Sequence, residues 1–260
     1  MGVGGAIVIV MFQSVSGSPG VSVWSVLTLG LWPSDSPIER VGVEADLAGG
    51  VMGVRYQLNS GTDRLMADAA RWSPGSKVVL SQFASKVGDG AWLVPGPKTP
   101  ENAARLWQTQ DGASAVATMA AVDQRVWVFD AGRATASGRL APLFAEAAVA
   151  VLFTRGAPEE LAKTRNRVQA LKATGAHVMV AVTGKTTHSH SEVTEFLGKA
   201  TVHFLPGDDQ LVDDSRQVWS DSKKGRRRSV WATGSGFASS IDEVLQFSPR
   251  GQMRVEAEVS

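Results

Sequence analysis

The sequence predicts an α/β protein with a mostly parallel central sheet flanked by helices. Two observations support this fold class. Short runs of apolar, β-branched residues recur along the chain, beginning with Ala6–Phe12, and such runs are typical of strands buried on both faces. Stretches with helical spacing or helix-start signals separate them, which indicates βαβ units. We find no internal repeat and no long linker, so residues 1–260 are interpreted as a single domain.

The composition excludes several classes of protein. With 43% hydrophobic and 20% charged residues, the chain is expected to fold into a globular core. Its 26 Lys and Arg residues balance 25 Asp and Glu residues, so the chain could bind a nucleic acid or a membrane electrostatically only through a local basic patch. The lack of cysteine excludes disulfides and thiolate metal sites. The first cation is Arg40, too late for a secretory signal, and we expect a cytoplasmic protein.

The first strand leads into a loop that could hold an anion. Between Ser14 and Ser22 the loop contains Gly17, Pro19 and Gly20, and an apolar helix follows at once. The backbone N–H groups of such a loop can face a ligand, and the helix N-terminus adds partial positive charge at the same place. The geometry is therefore that of a phosphate-binding loop.

The remaining elements follow from the same signals. Thr99-Pro100-Glu101 has the residues of a helix start: an N-cap, a proline and an acidic first turn. Further strands are expected at Arg40–Ala45, Ala91–Val94, Arg125–Asp130, Ala148–Thr154, Ala176–Val182 and Ala200–Leu205. Helices are expected at Ser60–Trp72, from Pro100 to about Trp107, at Pro158–Thr174 and near Phe237–Leu245. His188 and His190 are interpreted as part of a solvated loop.

Two acidic residues are expected beside the loop. Asp46 follows the second strand, and Asp130 ends the strand Arg125–Asp130. Ligands of open α/β sheets bind at the carboxyl ends of the strands, and a nucleotide with Mg²⁺ needs carboxylates near its phosphates. Separately, glycine-rich turns and acids at strand ends are also common structural caps. Their combination in this order favours a nucleotide-type fold.

In this order, the segments resemble the MinD/ParA family of deviant-Walker ATPases over nearly the whole chain. The resemblance lies in Gly17–Ser25, Val43–Leu47, Val128–Gly132, Val182–Gly184 and Leu205–Asp208. It implies a three-layer P-loop fold, with Asp46 and Asp130 as catalytic residues. The nucleotide-binding residues that it implies are Gly17, Ser18, Pro19, Gly20, Val21, Ser22, Val23, Trp24, Ser25, Thr183, Pro206 and Asp208.

The departures from the family pattern concern the chemistry of the site. The two loop lysines of the family fall at Ser18 and Val23, and its Mg²⁺-binding threonine falls at Trp24. The adenine-binding asparagine falls at Thr183. Without the lysines, the charge that neutralises the γ-phosphate is missing. We therefore expect weak binding of ATP or ADP with Mg²⁺, or no cofactor, and little or no hydrolysis. Trp24 should pack inward or lie across the phosphate site.

The resemblance leads to three functional hypotheses. The first is a positioning or partitioning scaffold whose protein partner belongs to a partitioning, division, secretion or pilus machine. The second is an active ATPase that takes a cation from elsewhere or from a partner. The third is a DNA-binding accessory protein, whose candidate contacts are Lys223, Lys224, Arg226, Arg227 and Arg228. A homodimer stays open. Gln252–Ser260 lacks a basic amphipathic helix, which disfavours direct membrane binding.

Overall fold

The structure is a computed structural model that describes residues 8–17, 20–33, 38–59, 61–108, 110–207, 210–219 and 228–247. The strands are β1 (Val8–Ser14), β2 (Arg40–Glu44), β3 (Ser85–Gly88), β4 (Ala91–Val94), β5 (Val126–Asp130), β6 (Val149–Arg155), β7 (His177–Thr183) and β8 (Thr201–Leu205). The helices are α1 (Val21–Gly30), α2 (Met52–Arg55), α3 (Thr62–Arg71), α4 (Pro100–Leu106), α5 (Gln110–Val122), α6 (Ala141–Glu146), α7 (Pro158–Lys172), α8 (His190–Phe196), α9 (Leu211–Gln217) and α10 (Arg228–Phe247). A short 3₁₀ turn covers Leu80–Gln82.

The eight strands form one sheet in the order β3-β4-β2-β5-β1-β6-β7-β8. All neighbouring pairs are parallel except β3 and β4, which are antiparallel at one edge. The predicted α/β class is therefore confirmed. Because β1 pairs with both β5 and β6, the loop that follows it opens at the middle of the sheet. This is the position at which open α/β sheets hold ligands.

The core has two parts, one on each face of the sheet, so the protein has three layers. Successive side chains of β1 alternate between them, as the two-residue period of a strand requires. Ile9 and Met11 join the core shared with α3, α5, α6, α7 and α8. Val8, Val10 and Phe12 join the core shared with α1, α9 and α10. Every residue of β1 is buried, which explains its continuous apolar run.

Most predicted elements exist with bounds shifted by one or two residues. The first strand is described from Val8 to Ser14, so it ends two residues later than predicted, and the predicted Ala6 and Ile7 lie outside the described residues. The last helix is much longer than the predicted Phe237–Leu245. The missed elements are α2, α5, α6, α8, α9 and the edge strand β3. The helix α5 contains five Ala, one Gly and one Ser among its thirteen residues, and such small side chains give few large apolar positions that mark a helical period.

The interpretation of His188 and His190 as loop residues needs a correction. Ser189 is the N-cap of α8, and its hydroxyl accepts a hydrogen bond from the N–H of Glu192. The Glu192 carboxylate in turn accepts one from the N–H of Ser189 at 2.7 Å, which completes a capping box. His190 is therefore the first residue of a helix.

Candidate functional site

A cavity of about 330 Å³ lies at the carboxyl ends of β1, β2 and β5. It is lined by Ser14, Gly17, Gly20, Val21, Ser22, Val23, Asp46, Ala48, Gly49, Val51, Arg55, Asp130, Gly132 and Arg133. The structure thus brings the glycine-containing loop and both predicted acids to one place. The volume is near the lower end of the roughly 300–1,000 Å³ of small-molecule sites.

The start of α1 forms one wall of the cavity. Gly20 is the N-cap and has a φ of 85°, a left-handed conformation that favours glycine. Its carbonyl accepts the N–H groups of Val23 and Trp24, at 3.1 and 2.9 Å. The N–H groups of Val21 and Ser22 precede these and have no acceptor within the helix. Because both residues line the cavity, this wall has the geometry of an anion site.

Asp130 lies at the floor of the cavity and is completely buried. Its Oδ1 accepts a hydrogen bond from the N–H of Gly132 at 3.1 Å, whereas Oδ2 has no partner of normal hydrogen-bond geometry. The pKa of Asp130 is raised to about 7, chiefly by burial and also by the nearby carboxylates of Glu44 and Asp46. The hydroxyl of Ser22 and the N–H of Gly132 act in the opposite direction. Near neutral pH this group can therefore exchange a proton.

Asp46 lies against the chain segment that follows Asp130. A Cβ on Gly132 would collide with the Asp46 carboxyl group, so only glycine allows this approach. One oxygen of Asp46 accepts a hydrogen bond from the N–H of Ala48 at 2.8 Å, which orders the turn after β2. The two predicted acids thus share one small region, although they end different strands.

Glu44, which the sequence analysis did not single out, holds together two chain segments near the site. This carboxylate is buried and accepts hydrogen bonds from the N–H groups of Val51, Met52 and Gly96, at 2.6, 3.0 and 2.9 Å. Burial raises its pKa, and these three N–H groups oppose that shift. Glu44 therefore ties the start of α2 to the loop after β4. An acid within a buried strand is the signal that could have revealed it.

The structure also places two arginines in the cavity wall that sequence reasoning missed. Arg55 ends α2, and Arg133 directly follows Gly132. No described carboxylate lies within 4.0 Å of either guanidinium group. The position of Arg133, three residues after a strand-end acid, was a signal in the sequence. Arg55 could be found only from the fold, because it is nine residues from Asp46.

Trp24 packs inward, in one of the two ways that the sequence predicted. Its side chain is fully buried and lies edge-on to Phe237 of α10, with ring centroids 6.3 Å apart. The indole N–H donates to the carbonyl of Pro206 at 3.2 Å. Trp24 is absent from the cavity wall, so it leaves the space under the loop open. Val23 lines that space with an almost fully buried side chain.

The other predicted nucleotide contacts lie elsewhere. Ser25 is buried, and its hydroxyl donates to the carbonyl of Ser22 at 3.0 Å. The hydroxyl of Thr183 donates to the carbonyl of Thr154 at 3.3 Å. Neither these residues nor Pro206 line the cavity, and their roles in binding stay predictions. The predicted residues outside the described parts of the chain are Ser18, Pro19, Asp208, Lys223, Lys224, Arg226 and Arg227, and of Arg228 only the backbone is described.

The residues of the cavity fit the phosphates of a nucleotide better than its metal ion. At the helix position where the sequence resemblance predicted a metal-binding hydroxyl, this chain has the buried Trp24, and the next hydroxyl, Ser25, is engaged with the backbone. Within the described residues, no group of three or more His, Asp or Glu side chains could hold a metal ion. We therefore assign no metal-dependent step to this site.

The fold and the position of the cavity define a class: the chain has the fold of the ParA and MinD ATPases. It superposes on the crystal structure of a ParA family ATPase from Chlorobium tepidum TLS with a TM-score of 0.72, at 14% identity, over 90% of this chain and 99% of that one. No protein-family model matches the sequence, and no curated protein matches it.

Two MinD structures are also similar to this chain. The septum site-determining protein MinD of Pyrococcus horikoshii OT3, in complex with Mg-ADP, gives a TM-score of 0.66 at 14% identity, over 91% of this chain and 97% of that one. A chain of the MinC:MinD cell division protein complex of Aquifex aeolicus gives a TM-score of 0.60 at 12% identity, over 91% of this chain and 96% of that one. No helix in the described part of this chain is long and apolar enough to cross a membrane.

Proposed function

We propose that this protein is a positioning or partitioning protein of the ParA/MinD type that binds a nucleotide but hydrolyses it little or not at all. The observation that carries the proposal is the open cavity at the start of α1, where Val23 stands at a lysine position of the family. Glycine backbone, helix N-terminus and two acids are present there. A similar fold holds Mg-ADP in the Pyrococcus horikoshii protein.

We expect little or no hydrolysis because the loop lacks positive charge. Phosphoryl transfer depends on cations that stabilise the transferring group, and one such residue is worth roughly 10³–10⁵ in rate. Neither Ser18 nor Val23 can supply that charge. Without turnover, the bound nucleotide is a structural ligand, and the protein acts as a scaffold for a partner. By similarity, this partner would belong to a partitioning, division, secretion or pilus machine.

The test is nucleotide binding and hydrolysis by the purified full-length chain. We expect calorimetry to show binding of ATP and ADP, while a phosphate-release assay stays at background. Asp46→Ala is the control, since a residual rate that survives this substitution does not come from the site. A turnover of about one per second, which is within the normal enzyme range, would overturn the scaffold proposal if Asp46→Ala abolished it.

The active-ATPase alternative is favoured by one observation, the two arginines of the cavity wall. Their role is argued in the next subsection. The DNA-binding alternative depends on the basic run, which lies outside the described residues apart from the backbone of Arg228. It stays a prediction from sequence.

A further inference from the structure

We propose that Arg55 and Arg133 together bind the phosphate groups of the ligand in this cavity, which holds the ligand without placing a cation at either loop-lysine position. The inference rests on the proposed nucleotide binding and specifies its chemistry: the ligand is a di- or triphosphate, held by two guanidinium groups. The two arginines come from different chain segments, α2 and the turn after β5. Both segments border the same cavity.

The first argument is that neither arginine has a carboxylate partner among the described residues. The cavity contains two acids, Asp46 and Asp130, yet no described carboxylate lies within 4.0 Å of Arg55 or Arg133. Asp46 instead accepts from the backbone of Ala48. The Arg55 side chain does hydrogen-bond the hydroxyl of Tyr56, which leaves its charge in place. Arginine binds phosphate through paired N–H donors, so two guanidinium groups without a described carboxylate partner beside one cavity match a polyphosphate.

The second argument is that polar atoms at the site lack partners. The Nη1 atom of Arg55 is inaccessible to solvent and makes no hydrogen bond. Asp130, fully buried in the cavity wall, has an Oδ2 without a partner of normal geometry. Buried polar groups normally find partners, because leaving them unsatisfied costs free energy. A ligand in the cavity would satisfy both atoms when the two side chains turn toward it, with an acceptor for the arginine and a hydroxyl or water for the acid.

The third argument is that the fold holds Arg55 in place. Its carbonyl accepts a hydrogen bond from Nε of Arg216 at 3.4 Å, which links the end of α2 to α9. At its other end, α2 is held by the Glu44 carboxylate through the N–H groups of Val51 and Met52. A four-residue helix has little stability of its own. These contacts therefore fix the position from which Arg55 reaches the cavity.

The test is calorimetric titration of the full-length protein with ATP, AMP and inorganic pyrophosphate. Arg55→Ala and Arg133→Ala should each weaken ATP binding by at least tenfold, which corresponds to about 1.4 kcal/mol. Arg133→Lys should retain part of the affinity, because it keeps the charge but loses the paired donors. AMP, with a single phosphate, should bind more weakly than ATP and respond less to either substitution.

Arg139→Ala is the matched control, since Arg139 lies in the same chain segment as Arg133, does not line the cavity and donates to the carbonyl of Ala104. It should bind ATP as the wild type does. Thermal melts of every variant show whether it is folded. Arg133 is exposed, so its substitution should leave the melting temperature unchanged.

The outcomes separate this inference from the proposed function. If the wild type binds ATP and both alanine variants bind it within twofold, the arginine inference is overturned and nucleotide binding stands. If the wild type binds pyrophosphate but not ATP, and the arginine variants lose pyrophosphate, nucleotide binding is overturned and the arginine inference stands. If neither probe binds, both are overturned.

Discussion

The buried carboxyl of Asp130 makes the stability of the protein depend on pH in a predictable direction. Burial raises its pKa from 3.8 to about 7 in the folded state. The folded protein therefore holds this proton more tightly than the unfolded chain. The stabilising contribution is fully present below about pH 4, near the unfolded pKa, and is lost as the pH rises through about 7. At about 1.36 kcal/mol per pKa unit, the full loss is about 4 kcal/mol.

Asp130→Asn removes this titration while preserving the shape of the side chain and an oxygen for the N–H of Gly132. Between pH 5 and pH 8, the difference between the unfolded pKa of 3.8 and the folded pKa of about 7 makes the wild type lose stability equivalent to about two pKa units. The stability of Asp130→Asn relative to the wild type should therefore increase by about 2–3 kcal/mol over that range. The burial of Glu44 raises its pKa as well, but Glu44 is present in both proteins.

The assay is urea unfolding at pH 5 and pH 8, followed by fluorescence of the eight tryptophans. Asp213→Asn is the control, because Asp213 forms an exposed ion pair with Arg216 at 3.1 Å on the surface of α9. Such pairs contribute little, so this variant should follow the wild type at both pH values. An advantage of Asp130→Asn that is equal at pH 5 and pH 8, or that decreases with pH, would refute the reasoning.

Two further predictions follow from particular residues. Trp24→Ala should destabilise the protein by about 3–5 kcal/mol, since it opens a cavity beside Phe237 and removes the hydrogen bond to Pro206. The control is Trp72→Ala, at the partly exposed end of α3, which should lower the free energy of unfolding clearly less in the same urea assay. Equal losses in the two variants would contradict the buried role of Trp24. If the basic run from Lys223 to Arg228 binds DNA, retention should weaken with salt with a log–log slope no steeper than roughly −4 to −5, as about five cations allow. Replacing all five cations with alanine should then abolish retention, and unchanged retention would show that the run does not bind DNA.

Much of the fold was predictable because buried strands have recognisable apolar sequences. Strands covered on both faces, such as β1 and β5, must be apolar throughout, and the runs that meet this condition were recognised. Most of the missed helices are short: α2, α6, α8 and α9 have 4, 6, 7 and 7 residues, too few to show a helical period. The four residues of α2 carry no pattern at all; the helix forms because the Glu44 carboxylate accepts the N–H groups at its start.

By itself, the sequence determined the α/β class, the place of the loop after β1 and the convergence of Asp46 and Asp130. Each depends on local order along the chain and on the rule that parallel strands end at one edge. Only the tertiary structure decided that Trp24 leaves the cavity open and that Arg55 and Arg133 border it. The direction of a side chain at a helix start depends on what packs against it, here Phe237 and Pro206 from distant parts of the chain. Contacts of that kind form between segments more than 180 residues apart, and no spacing within either segment encodes them.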